Sequence, residues 1–176
     1  NEFSATATSQ MQEAIKNLEA QDVDSYVLDL RANPGGLLRA SIEIARMWID
    51  KGSIVSTTDR GGDRRSERAT ETALTSAPMV VLVDKDSASA SEILTGALQD
   101  NERAVVVGTK TFGKALVQSV HRLSDGSGIA VTVARYYTPS GVDINETGIE
   151  PDVSVPLTQE QRYYLLANRT SVPGSV

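Results

Sequence analysis

Three short runs of apolar, largely β-branched residues constrain this chain more than any other feature. "SYVLDLR" (25–31), "MVVLVD" (79–84) and "AVVVG" (104–108) read as buried strands. Helical patterns lie between them. Residues 37–50 place Leu38, Ile42, Ala45 and Ile49 on one face, and residues 90–100 form a second helix. A third precedes them at 8–20, where Met11, Ala14, Ile15 and Leu18 share a face. Strand, helix, strand, helix, strand with continuous apolar strands defines an α/β layered domain with parallel pairings. Sheets of that kind keep their chemistry at the carboxyl ends of their strands.

The rest of the chain adds antiparallel features. A β-rich stretch at 54–58 leads into "DRGGDRRSER" (59–68), too polar for a core and suited to a solvated hairpin tip. Two longer strands, near 116–123 and 128–137, are joined by the turn "SDGSG" (124–128), and "TPSG" (138–141) ends the alternation. Among 176 residues, 17 Lys and Arg against 23 Asp and Glu give a net charge of −6, the wrong sign for a nucleic-acid partner. No cysteine is present, which excludes disulfides and thiolate chemistry. The lone His121 cannot build a histidine metal site, and no apolar run is long enough to span a bilayer.

The strand ends carry the unusual residues. "VVVGTKTFGKAL" (105–116) nearly spells the phosphate-cradling loop G-x-x-x-x-G-K-[ST]. Ala115 stands where the magnesium-binding hydroxyl belongs, and "LVQSVHRL" continues as a strand instead of a helix, so Lys114 needs another task. "DKDSASASE" (84–92) faintly resembles a calcium loop through Asp84 and Asp86 but lacks the obligatory glycine and distal glutamate. Ser89-x-x-Glu92 is a capping box in form. The same geometry also suits a nucleophile, because a serine at a strand-to-helix turn sits beside free N–H groups that can stabilise an oxyanion. No His–Asp pair can be assembled around it, whereas a lysine serves as base if burial holds it neutral.

"LDLRANPGG" (28–36), "DSASASEILTGALQDNERAVVVGTKTFGKALVQSV" (86–120), "LSDGSGIAVTVARYYTPSG" (123–141) and "GIEPDVSVPLT" (148–158) together resemble the C-terminal processing peptidases, or tail-specific proteases. Several independent motifs agree, in uninterrupted order, over nearly the whole chain. The resemblance implies a layered sheet–helix core of the crotonase/Clp-protease-like superfold and a serine endopeptidase working through an acyl-enzyme without metal or cofactor. By motif, Ser89 is the nucleophile, Lys114 the base and Gln118 the group that orients the base. Glu92 falls where the family keeps a glutamate near the dyad. Ala90 N–H and an N–H of the "NPGG" turn, assigned to Gly35 over Gly36, would form the oxyanion hole. The substrate implied is a polypeptide with a free C-terminus, in the periplasm or thylakoid lumen, with a leaning toward the photosynthetic branch that trims a photosystem II subunit.

The family's upstream PDZ domain has no counterpart here, so residues 1–176 read as a single peptidase core, expected to be a monomer. Two other classes use this fold: a non-catalytic tail- or ligand-binding module, and an acyl-CoA enzyme in which a serine–lysine pair would be superfluous. Asp29 and Arg31 read as a paired charge bracing a strand end, and His121 as an ordinary strand residue. If residues 114, 116 and 118 share a strand face, Lys114 and Gln118 project together. A free lysine, with pKa about 10.4, cannot accept the serine proton at neutral pH. Phe112, Leu116 and Val117 are therefore expected to bury it, and Glu92 to face away, pair elsewhere or be protonated. The glycosylation patterns at Asn145 and Asn168 read as chance.

Overall fold

The computed structural model describes residues 2–168; the Asn168-Arg-Thr pattern and the last residues of the single unit 1–176 run outside them. The chain runs α1 (Ala7–Glu19), β1 (Tyr26–Asp29), α2 (Leu38–Trp48), β2 (Ser53–Asp59), β3 (Arg64–Arg68), β4 (Met79–Val83), α3 (Ala90–Asp100), β5 (Val105–Gly108), β6 (Leu116–Arg122), β7 (Gly128–Tyr137), β8 (Val153–Ser154) and α4 (Gln159–Asn168). The expected helices and strands are present. β8 and α4 were not expected: two residues of strand and a weakly amphipathic helix leave little periodicity to read.

Two sheets organise the fold. One is parallel, in the order β1-β4-β5-β8, and the other is antiparallel, in the order β3-β2-β7-β6. The parallel register sets Tyr26 beside Met79 and Val80 beside Val105. β6 and β7 form the expected hairpin, with a bulge where Val117 and Gln118 face Ala134 and Thr132. β3 pairs with β2, and all five of its residues are exposed, in keeping with a solvated tip.

The reading of the parallel strands as fully buried needs correction. Tyr26, Val81, Val83 and Val106 point into the core, but Val27 and Val105 are exposed. β1 is an edge strand, and the described helices cover mainly one face of the sheet. On the other face, Leu82, Val107, Val155, Pro156, Leu157 and Leu165 line part of a cavity of about 490 Å³.

α3 is the element that joins the layers. Every residue from Ala90 to Leu98 is buried, so the helix is surrounded rather than amphipathic. It packs on α2, on β2 of the antiparallel sheet and on β5 of the parallel one. Its N-terminus thereby lies at the carboxyl end of β4, fixed from both layers.

Candidate active site

The chain reaches α3 through a run of three serines, and the fold treats them differently. Ser87 is fully buried; its hydroxyl donates to the Leu30 carbonyl at 2.8 Å and accepts from Asp84 N–H at 2.9 Å. Ser91, also fully buried, donates to the Asn33 carbonyl at 2.9 Å. Both hydroxyls fasten this turn to the end of β1. Ser89 is only half-buried and sits at φ 57°, ψ −112°, a backbone conformation that L-residues rarely hold. The strained elbow lifts its side chain away from the backbone acceptors that its neighbours use.

Asp84 and Asp86 do not make a metal loop. Asp84 accepts from the backbone N–H groups of Ala32 at 2.9 Å and Asp86 at 3.0 Å, as a turn residue does. No cluster of potential metal ligands occurs among the described residues. Asp29 and Arg31 form the expected pair, joined by two hydrogen bonds of 2.9 Å. That partner, above all, raises the arginine pKa. His121 lies exposed on β6.

Glu92 is the hub of the site. It is fully buried, and its carboxylate accepts four hydrogen bonds. Oε2 takes the N–H groups of Ser89 at 2.8 Å and Lys114 at 2.9 Å. Oε1 takes Thr111 Oγ1–H at 2.6 Å and Gly113 N–H at 2.7 Å. Of the three outcomes expected for Glu92, it pairs elsewhere: it meets the lysine's backbone and not its ammonium. One glutamate thus ties the serine elbow to the loop that carries the lysine. That loop turns through Gly113 at φ +90°, where a Cβ would come within 2.9 Å of Gly148 N.

Lys114 and Gln118 differ from expectation. β6 begins at Leu116, so Lys114 precedes the strand and the alternation argument holds only from 116 to 118. Its side chain is exposed, because Phe112 is itself 62% exposed and Leu116 and Val117 are only half-buried. The hydrophobic enclosure foreseen for the amine is absent. Neither the Lys114 ammonium nor the Gln118 amide has a hydrogen-bond or ionic partner among the described residues.

The glycine turn meets the elbow closely. Gly35 is buried at φ +97°, and a Cβ there would lie 2.5 Å from the Ala88 carbonyl oxygen and 2.7 Å from Ala90 N. Its own N–H donates to Asn33 Oδ1 at 3.0 Å, so it is occupied. Gly36 is exposed. Phe3 bonds to the backbone on either side of it, to the Gly35 carbonyl and the Leu37 N–H. The N–H groups of Gly36 and Ala90 have no acceptor among the described residues.

Two residues at the site went unnoticed in the sequence. Thr111 links Glu92 to Ile149, whose N–H it accepts at 2.7 Å. Tyr136, on β7, is 2% exposed and donates its hydroxyl to the Lys114 carbonyl. Burial first, then the Glu92 charge, push the Tyr136 pKa well up. A signal existed for Thr111, which stands two residues before the Gly113-Lys114 pair. None existed for Tyr136, one of two adjacent tyrosines. The 490 Å³ cavity is a separate feature, since Ser89, Lys114 and Gln118 do not line it.

The chain belongs to peptidase family S41, whose profile matches residues 1–155. It is 57% identical over 156 residues to the carboxyl-terminal-processing protease of Picosynechococcus sp., covering 89% of this chain and 38% of that relative. It is 52% identical to the chloroplastic carboxyl-terminal-processing peptidase 3 of Arabidopsis thaliana, over 86% of this chain and 30% of the other. Its fold matches the solved photosystem II D1 C-terminal processing protease with a TM-score of 0.81 at 45% identity, covering 94% of this chain and 44% of that one. The Clp-protease-like superfold is therefore the architecture, as the resemblance implied. The chain spans well under half the length of these relatives. No helix among the described residues is long and apolar enough to cross a membrane.

Proposed function

We propose that this chain is the core of a serine endopeptidase that cuts polypeptides near their C-terminal ends. Ser89 is the nucleophile, Lys114 the base, and Gln118 the group that orients the base once it is engaged. The observation that carries this reading is the contrast among the three serines: two hydroxyls are bound to backbone carbonyls, and the third stands on a strained elbow that Glu92 ties to the lysine loop.

In the reaction, Ser89 Oγ attacks the scissile carbonyl while the neutral Lys114 amine accepts its proton. The lysine then gives that proton to the leaving amine, and water, activated by the same lysine, hydrolyses the acyl-serine. The developing oxyanion needs two donors. Ala90 N–H is one. Gly35, expected as the second, has its N–H held by Asn33 and is buried; Gly36 is favoured because it is exposed and its N–H has no acceptor among the described residues. Lys114 must turn from solvent toward Ser89, a change of side-chain torsions only.

The substrate is a protein tail with a free C-terminus, in a thylakoid lumen or periplasm, taken by a single core unit that needs no metal, organic cofactor or nucleic acid. The exposed Lys114 favours one other reading, a tail-binding module without chemistry. Incubation with an unstructured protein and mass spectrometry of the products separates the two. Ser89→Ala and Lys114→Ala each abolish cleavage non-additively, whereas Ser87→Ala and Ser91→Ala retain most of it. A dead Ser91→Ala beside an active Ser89→Ala would refute the assignment.

A further inference from the structure

We propose that Tyr136 is a positioning residue that fixes the strand entry bearing Lys114. The inference rests on the reading of Ser89 and Lys114 as nucleophile and base. Two hydrogen bonds from β7 carry it. The Tyr136 hydroxyl donates to the carbonyl of Lys114, not of a neighbour. The Tyr136 N–H donates to the Ala115 carbonyl at 3.1 Å, so both ends of the tyrosine hold adjacent peptide groups at the start of β6.

A phenol has one proton to donate and lone pairs to accept with. Here that proton goes to the Lys114 carbonyl. Glu92 makes a parallel link through backbone N–H groups, joining Ser89 to the other side of the same lysine. The two links hold Lys114's N–H and C=O, leaving its side chain free to move while its Cα cannot. Burial keeps the hydroxyl un-ionised, so it remains a donor throughout the working range of such an enzyme.

Tyr136→Phe removes the hydroxyl and leaves the ring in its buried place. Misplacement of reacting groups by an ångström costs about a hundredfold in rate. We expect kcat to fall about ten- to a hundredfold with KM unchanged, and labelling of Ser89 by a fluorophosphonate to slow by a similar factor. Both are measured where circular dichroism of the variant matches the wild type. Should the phenylalanine variant not fold, Tyr136→Met, also without a hydroxyl, must show the same loss. Wild-type or faster kcat and labelling would overturn the proposal, as would a rise in KM alone. Ser89→Ala and Lys114→Ala run alongside. If they are inactive and Tyr136→Phe is not impaired, the positioning role alone falls. If they remain active, the nucleophile assignment fails and takes this inference with it.

Discussion

Replacing Glu92 tests the hub directly, and the glutamine variant is the informative one. Glu92→Gln keeps one carbonyl oxygen and exchanges the other for an NH₂ that can only donate. With the oxygen in the Oε2 position, the N–H groups of Ser89 and Lys114 keep their acceptor. The NH₂ then faces Thr111 and Gly113. The Thr111 hydroxyl can reverse and accept, since Ile149 N–H occupies only one of its lone pairs. Gly113 N–H cannot reverse, and one buried donor is stranded. An unsatisfied buried group costs about 1–3 kcal/mol, and for a domain of this size roughly 2–4 °C of Tm per kcal/mol. The loss for Glu92→Gln is therefore about 1–3 kcal/mol, or roughly 2–12 °C. Glu92→Ala strands three backbone N–H groups and costs about 3–9 kcal/mol, comparable with the whole stability of a domain. The opposing effect is relief of charge burial, which by itself makes removal of a buried carboxylate stabilising. Four donors aimed at the carboxylate decide the balance. Urea unfolding with an unchanged m-value measures it. A glutamine variant as stable as wild type within about 0.5 kcal/mol would refute the claim that these bonds outweigh desolvation.

Gly35→Ala is expected to abolish fluorophosphonate labelling of Ser89, because the new Cβ would sit 2.5 Å from the Ala88 carbonyl oxygen at a φ of +97° that alanine resists. A labelling rate equal to wild type would show that the elbow is not held by this contact. At alkaline pH a different residue governs. Burial first, then its 2.6 Å hydrogen bond to Glu19, raise Tyr26 to about 12, above its usual 10. The unfolded chain ionises first, so the stability from this group is complete below pH of about 10 and is lost as pH rises through about 12. The stability advantage of wild type over Tyr26→Phe must shrink across that window. An advantage constant to the top of it would contradict the assignment.

The strands and helices were legible because their apolar residues recur at the spacing of the element that buries them. Val81, Val83 and Leu94 are buried, as their patterns require. Burial on both faces was over-read for β1, since a run such as Tyr-Val-Leu-Asp does not state whether a second layer covers Val27. The serine run was legible as a strand-to-helix turn, and its capping pattern held through the Glu92 limb. Hidden from sequence was that Glu92 also serves Thr111, Gly113 and Lys114, bonds that span 19, 21 and 22 residues. Tyr136 was hidden for the same reason. Only the pairing of β7 with β2 and the start of β6 carries it to Lys114, and local periodicity is blind to such closures.

The arrangement separates what is fixed from what moves. Ser89 is fixed by the elbow, by Glu92 and by the flanking serines fastened to the end of β1. The backbone of Lys114 is fixed by Glu92 on one side and Tyr136 on the other. Its side chain is exposed and has no hydrogen-bond or ionic partner among the described residues. Moving an exposed lysine into a half-buried site requires it to shed solvent, and a buried amine favours the neutral form. On the proposed roles, turning the side chain inward would do two things at once: bring the base to the nucleophile and favour the neutral amine that accepts its proton. A peptide lying over the site would supply the missing enclosure by covering Lys114, Leu116 and Phe112. On the proposed roles the base would become competent when a substrate covers it, which would protect other chains from a permanently armed serine. Labelling of Ser89 by a small fluorophosphonate should then accelerate in the presence of a non-cleavable peptide that leaves the serine open. Equal rates with and without the peptide would show that covering the lysine does not arm it.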